Sequence, residues 1–326
     1  MKIYFAPLEG ITGYVFRNAY EKYYGGIDKY FTPFISPHTK KLMDAREKRD
    51  ILPENNKGLT IVPQVLTNKA EDLIDICKQL KEDYGYEEIN LNLGCPSKTV
   101  TTKGKGSGFL QTPDQMDEFF DRFFKVSDVK LSIKTRIGYW EIEEADKLLH
   151  MYERYPFEEI IIHPRLGIQM YQGTPYYDVF EDYLGRTKHS LCYNGDINTF
   201  EQLKALDEKW SNCDNYMLGR GLIARPGMLQ RENGIDEIIT LDTRNDSSSN
   251  VEELSLEEWN IFKQFHDEIV AGYDAYMCGD RNTLFKMKEL WTWWAVMFPG
   301  KEKTLKKIKK ANDLKEYQML VKSLHE

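Results

Sequence analysis

Short β-branched or apolar runs alternate with longer stretches of helical period through the first two thirds of the chain, and this alternation restricts the fold more than any other feature. The runs are Lys2 to Ala6, Tyr30 to Ile35, Thr60 to Val65, Glu88 to Asn92, Lys130 to Thr135, Glu159 to His163, Ser190 to Asn194 and Asn215 to Leu218. Helical period follows most of them, over Tyr14 to Tyr24, Asn68 to Tyr84, Pro113 to Val126, Glu141 to Tyr155 and Asn198 to Lys209, and more weakly near Ala45, Tyr176 and Pro226. Strict alternation implies parallel strands joined by right-handed crossovers, and eight such repeats close into a (β/α)8 TIM barrel. An open doubly wound sheet is the competitor. Its usual mark, a GxGxxG directly after the first strand, is missing.

The pattern changes after the eighth repeat. Residues 242–250 lack the apolar periodicity on either side and read as a linker, so a barrel domain over 1–241 is expected to precede an all-α domain over 251–326. Helical period there runs from Ser255, with Glu258 at capping-box spacing, through Cys278, then from Asn282 to Met297 and from Lys303 to Leu324. The charge also shifts. The chain carries −8 overall, yet from Arg281 onward eleven Lys/Arg face five Asp/Glu, which suits a polyanionic partner or a solvated lysine face. With 41% apolar residues over 326 positions, neither disorder nor a small disulfide scaffold is expected. Five cysteines without a CxxC pair argue against a disulfide framework and a structural zinc site. A reducing cytoplasm fits them, and no basic leader or 18-residue apolar stretch suggests secretion or a membrane span.

In a barrel the chemistry sits where strands end. The expected strand ends deliver Pro7, Gln64, Asn92 with Gly94-Cys95-Pro96, Lys134 and Arg136, His163 and Arg165, Asn194-Gly195-Asp196, and Gly219-Arg220-Gly221. Each alone reads more readily as a surface or capping group. A ring of them at one mouth is not a structural necessity and points to a site. The two glycine motifs fall after strands seven and eight, where barrels bind phosphate through backbone N–H groups, and Arg220 adds a guanidinium. Gln64 and Lys134 suit a heteroaromatic ring: an amide reads a donor/acceptor edge, and an ammonium stabilises negative charge.

The stretch Asn90-Leu-Asn-Leu-Gly-Cys-Pro-Ser-Lys98, followed by Gly104-Lys-Gly-Ser-Gly108, resembles the signature of the tRNA-dihydrouridine synthases, FMN-dependent barrels with a C-terminal helical domain. The likeness runs from Ala6-Pro7-Leu8-Glu9-Gly10-Ile11-Thr12 and Phe16-Arg17 through Gln64, Ile133-Lys134-Thr135-Arg136 and His163-Pro164-Arg165 to the glycine motifs, about the first 230 residues. It departs in three places: Asn90 stands for a frequent aspartate, Leu8-Glu9 for Met-Ala, and Pro164 for a glycine. The resemblance implies that Pro7, Leu8, Glu9, Gln64, Lys134, His163, Asn194, Gly195, Asp196, Gly219 and Arg220 hold FMN. It further implies Cys95 as proton donor, with His163 and Lys134 beside it in catalysis, and Asn92 and Arg136 lining the uridine pocket; Arg165 is expected among the substrate-binding residues. NADPH or NADH would be a transient reductant and tRNA the substrate of a monomeric enzyme, with no metal.

Reduction of the uracil 5,6-bond needs an acid at C5, so Cys95 is expected to remain a thiol, near or above its free pKa. The Gly104 to Gly108 segment reads as a mobile loop. Its neighbours Lys98, Lys103 and Lys105 would bring positive charge to a passing RNA backbone. In the C-terminal segment, Trp291 and Trp294 at i, i+3 spacing are expected in a core, and the lysines, from Lys286 and Lys288 to Lys309 and Lys310, on RNA. Two other readings use the same residues. A small-molecule flavin barrel would have no need of the basic tail, and a non-catalytic RNA-binding protein would lack flavin colour.

Overall fold

The computed structural model describes residues 1–37, 41–230 and 254–325. The expected linker at 242–250, and the domain boundary placed on it, lie outside them. Nine strands are formed among the described residues: β1 (Lys2–Phe5), β2 (Lys29–Phe31), β3 (Ile61–Val62), β4 (Gln64–Val65), β5 (Glu88–Leu93), β6 (Lys130–Gly138), β7 (Ile160–Leu166), β8 (Leu191–Asn194) and β9 (Asn215–Leu218). Their order in the sheet is β3-β2-β1-β9-β8-β7-β6-β5-β4. The described registers, β1 with β2, β2 with β3 and each step from β4 to β9, are parallel.

β3 and β4 stand at opposite ends of that order, yet only Pro63 separates them in the chain. They are the two halves of the expected third strand. Proline has no N–H to give a ladder, so the strand breaks there while its carbonyl still accepts from the Asn90 N–H at 2.9 Å. Ile35, four residues past β2, bridges Val65 in parallel: its N–H donates to the Gln64 carbonyl and its carbonyl accepts from Leu66 N–H, each at 2.8 Å. The sheet is thereby closed, and the eight-repeat TIM barrel expected from the alternation is the fold observed.

A closed barrel has no pore. Tyr4, Ala6, Phe31, Val62, Ile161, Cys192 and Met217 form a buried cluster drawn from six strands or their immediate ends, with Leu8 packed against it. Register then sets side-chain neighbours. Gln64 pairs with Asn90, Asn92 with Lys134, and Arg136 with His163, so the polar strand ends become lateral neighbours.

The chain divides into two compact units. The first takes residues 1–9, 27–196 and 207–217; the second takes 10–26, 197–206 and 218 onward. Within the second, helix Tyr14–Tyr23 packs on helix Leu256–Asp274, with the Phe16 and Phe265 rings edge-on at 5.6 Å and Tyr24 against Phe265 at 5.2 Å. Ser255 and Glu258 close the capping box their spacing suggested. Trp291 and Trp294 are fully buried, and Trp291 Nε1–H donates to the Tyr317 hydroxyl at 2.6 Å, so the core reading of these indoles holds. The helix expected unbroken from Lys303 to Leu324 is instead two, Glu302–Lys310 and Leu314–Lys322. Asp313 is the cause: its carboxylate accepts from Glu316 N–H at 2.8 Å and starts a new helix, a local hydrogen bond that competes with continuation. Lys303, Lys306, Lys307, Lys309 and Lys310 are exposed on the first of them.

Candidate active site

A buried relay of amides crosses the barrel mouth. Asn90 Nδ2 donates to Ser132 Oγ at 3.0 Å, Gln64 Nε2 donates to Asn90 Oδ1 at 2.8 Å, and Asn92 Nδ2 donates to Gln64 Oε1 at 2.8 Å. Asn92 Oδ1 then accepts from the N–H groups of Gly94 and Cys95, at 3.1 and 2.9 Å. Each amide thus orients the next, and the last fixes the backbone that carries the thiol. Neither Gln64 nor Asn90 has any exposed surface.

The same loop is held from two other directions. Arg136 Nε–H donates to Gly94 O at 2.9 Å, and its Nη1–H to Leu166 O at 2.8 Å, with the guanidinium 5.5 Å from the Tyr171 ring centre. Ser107 donates to Cys95 O through both N–H (3.0 Å) and Oγ–H (3.1 Å). This corrects the mobile-loop expectation for Gly104 to Gly108. Residues 106–110 are buried in a 3-10 turn spanning Gly106–Gln111. Gly106, at φ +56°, leaves no room for a side chain: a Cβ would lie 2.7 Å from Cys95 O. Gly106 thus packs against Cys95, and Gly108 against Thr101, whose carbonyl a Cβ would meet at 2.7 Å; local composition does not distinguish such close packing from looseness.

Cys95 is half-buried. Burial pushes its thiol up, against the Ser97 backbone N–H and the charges of Arg136 and Lys134, which favour the thiolate. The direction agrees with a thiol kept protonated. Lys134 moves the other way: burial, with Arg136 as a like charge, pushes its ammonium down to about 8. Its Nζ–H donates to Asn194 Oδ1 at 2.6 Å, and Asn194 Nδ2 in turn donates to Met217 O at 2.7 Å.

On β7, Arg165 is almost fully buried and Nη1–H donates to both His163 Nε2 (2.9 Å) and Asp196 Oδ1 (3.0 Å). Nη2–H donates to Asp196 Oδ2 and Gly173 O, and Nε–H to Gln172 O at 3.2 Å. A guanidinium only donates, so His163 Nε2 must accept and its ring proton sits on Nδ1. Asp196 has φ +41°, a conformation rare outside glycine that the fork to Arg165 holds in place.

The structure thus gathers these residues at neighbouring strand ends in three groups: Gln64, Asn92 and Arg136 around the Cys95 loop, Lys134 with Asn194, and His163 and Asp196 on Arg165, with Gly195 beside His163. Pro7 and Leu8 follow β1 with partial exposure, and Glu9 pairs with Arg46 at 2.9 Å. Lys98 is exposed, whereas Lys105 turns inward, its Nζ 3.4 Å from Ser36 Oγ and Leu66 O. Gly219 and Arg220 belong to the second unit. There Gly219 caps the helix Arg220–Ala224, and Gly221 passes so close to Ile197 O that no Cβ fits. Lys286 and Lys288 are tied to backbone, to Gly10 O at 2.8 Å and Ala311 O at 2.6 Å, so the exposed lysines of Glu302–Lys310 remain the stronger RNA candidates. Sequence reasoning missed Ser132 and the Arg165–Asp196 fork. The signal available for the second was the placement of Arg165 and Asp196 at the ends of successive expected strands, which pair as β7 and β8. Among the described residues no group of three or more His, Cys, Asp or Glu is placed to hold a metal ion.

The fold and the convergence of these groups at strand ends define a TIM-barrel enzyme. The dihydrouridine synthase family profile matches residues 4–316, and the chain belongs to that family. It is 26% identical over 231 residues to tRNA-dihydrouridine synthase B of Pasteurella multocida, covering 70% of this chain and 68% of that one. With a probable tRNA-dihydrouridine synthase of Staphylococcus aureus it shares 30% over 237 residues, 70% of each chain. In fold it is similar to morphinone reductase (TM-score 0.51, 13% identity, 71% of this chain and 84% of the other) and to the old yellow enzyme of Trypanosoma cruzi (TM-score 0.51, 10% identity, 71% and 87%).

Proposed function

We propose that this protein reduces uridine to 5,6-dihydrouridine in tRNA, with FMN at the barrel mouth, NADPH or NADH as reductant, and Cys95 as the acid at C5. Family membership and the tRNA-dihydrouridine synthases it resembles support the substrate. One observation carries the chemistry: a half-buried thiol, pushed up by burial, on a strand-end loop gripped by Asn92, Arg136 and Ser107.

The donor set fits FMN. Lys134 is a partly desolvated cation whose hydrogen-bond partner is the neutral amide of Asn194, suited to an electron-rich ring edge. Gly195 keeps the backbone bare beside His163, since a Cβ there would crowd Tyr193 Oη at 3.0 Å and His163 Cδ2 at 3.3 Å. Pro7, Leu8, Glu9, Gln64, Lys134, His163, Asn194, Gly195, Asp196, Gly219 and Arg220 would hold the cofactor, which when bound supplies the hydride for C6.

The chain's own part is positional and acidic. Asn92 fixes the Cys95 backbone so that Sγ–H presents to C5, and loss of that proton leaves a thiolate that Arg136 and Lys134 stabilise. His163, neutral with its proton on Nδ1, offers a donor to developing negative charge at the uracil carbonyl, held in orientation by Arg165. Residues 1–241 act as the catalytic domain and 251–326 as the tRNA-binding domain, where the five exposed lysines of Glu302–Lys310 meet phosphates.

Nucleoside mass spectrometry of tRNA from cells lacking this protein, complemented with wild type or Cys95→Ala, tests the reading. Dihydrouridine restored by wild type alone supports it. Unchanged dihydrouridine in cells without any second synthase, with flavin retained in the pure protein, overturns it in favour of a small-molecule flavoenzyme.

A further inference from the structure

The loops after β6 and β7 carry a set of large apolar side chains that face solvent: Trp140 (59% exposed), Ile142 (39%), Ile168 (49%) and Met170 (42%). Scattered exposed apolar residues need no explanation, but four on two adjoining loops at the mouth of a site do. We propose that this surface seats an unpaired base of the RNA substrate flanking the target uridine. The proposal rests on the tRNA reading above and concerns how that substrate is gripped.

The surface is built, not loose. The Glu144 carboxylate accepts from the N–H groups of Tyr139 (2.5 Å) and Trp140 (3.2 Å), fixing the backbone that presents the indole. Ile168 N–H donates to Tyr139 O at 3.1 Å and joins the two loops. Gly167 makes room for the Tyr139 ring, which would overlap any Cβ there, and Tyr139 and Trp140 rings meet edge-on at 4.8 Å. The surface is also continuous with the site. Tyr171, next to Met170, lies 5.5 Å from the Arg136 guanidinium and 6.3 Å from the His163 ring. Met170 itself is held at φ +52°, a strained value for a side chain of its kind.

Charge selects the occupant. Glu141 and Glu143 are exposed beside Trp140 and repel a phosphate, so the RNA group that fits is the flat, uncharged face of a base. A uridine delivered to the mouth has left its stack, and its neighbours then expose such faces. An aromatic ring and aliphatic side chains accept any base, so this surface would set affinity and register without reading sequence.

Trp140 is the exposed one of six tryptophans, the others being buried or, for Trp293, half-buried, so the difference between wild type and Trp140→Phe isolates its contribution to acrylamide quenching. Unmodified tRNA transcript is titrated into the flavin-loaded enzyme while tryptophan emission and its quenching by acrylamide are followed, with Trp140→Phe as control. Bound tRNA is expected to shield the emission from acrylamide in wild type by clearly more than in Trp140→Phe, where Trp293 alone remains partly accessible. Trp140→Ala should raise the KM for tRNA about tenfold with a smaller change in kcat, and Trp140→Phe should recover most of it. Binding of tRNA with acrylamide access unchanged, or an unaltered KM in Trp140→Ala, overturns the proposal. So does a dimer in light scattering that Trp140→Ala dissolves, which would make the surface a self-association face. Failure of wild type to bind tRNA at all defeats the tRNA reading itself.

Discussion

The two ends of the barrel both bury charge, and they dispose of it differently. At the N-terminal end of the strands, Lys29 lies 2.7 Å from Glu88 and 4.0 Å from Glu159. Glu159 Oε1 accepts from Asn215 Nδ2 (2.6 Å), Tyr4 OH (3.2 Å) and Ser190 Oγ (3.4 Å). At the C-terminal end, Lys134 donates to a neutral amide and has no carboxylate within ion-pair distance among the described residues. Burial brings both groups near neutrality, Glu159 up to about 7 and Lys134 down to about 8. The base has an internal counter-charge for its buried acid. The mouth leaves a cation uncompensated, and that is the signature of an end that receives something.

The largest expected effect breaks the mouth alone. Cys95→Ala should lower turnover by about 10²–10⁴-fold, the range for loss of a positioned acid, with flavin absorbance and tRNA binding retained. Parallel loss of flavin would show that the residue acts structurally. Next comes the Arg165–Asp196 fork. Asp196→Ala strands a buried guanidinium, and about 3 kcal/mol of stability should be lost by urea unfolding, the low end for a broken buried pair because Asp196 is partly exposed. An Asp196→Ala chain as stable as wild type would mean solvent already compensates Arg165. Smaller at neutral pH is the effect at the base. Glu159 is held above its ordinary 4.5, so its native form binds the proton more tightly; the stability this confers is full below about 4.5 and lost as pH rises through about 7. The span is at most about 3 kcal/mol. Glu159→Gln, permanently neutral, should flatten the stability profile between pH 4.5 and 7, as read by urea midpoints, and leave the mouth's activity unchanged.

The barrel was legible because its cause is periodic. Alternation reports on burial and burial on fold, so all eight strands were placed in the chain, and Thr60 to Val65 was one run although Pro63 divides it into β3 and β4. Helix ends were less readable because they depend on single hydrogen bonds: Asp313 restarts a helix that hydrophobic period alone carries through. In the site, residues with unmistakable chemistry such as Cys95 and Lys134 stood out, while their supports did not. Ser132 and Asn90 look like ordinary strand residues until register sets Gln64 against Asn90 and Asn90 against Ser132. The glycines of Gly104 to Gly108 misled for the same reason. Flexibility and close packing ask for the same residue, and only the neighbour, Cys95 O for Gly106 and Thr101 O for Gly108, decides between them.

The smallest effect discriminates the two ends most finely. If Lys134 meets an anionic or electron-rich cofactor edge, the ammonium is the binding form, and its titration near 8 in the free protein must weaken the complex at higher pH. The sign is fixed: above about 8 the free protein loses the proton that the complex needs, so the Kd for FMN should rise by up to about tenfold per pH unit, or about 1.4 kcal/mol. Glu159 is already ionised in that range and contributes nothing to the slope. Fluorescence titrations of FMN at pH 7, 8, 9 and 10 measure it. Lys134→Arg carries a charge that does not titrate there, so its affinity, though lower because a planar fork replaces a point charge, should be flat across the series. A wild-type Kd that is equally flat would mean that Lys134 keeps its proton through other means or stands away from the cofactor, and the uncompensated cation would lose its meaning as the mark of the receiving end.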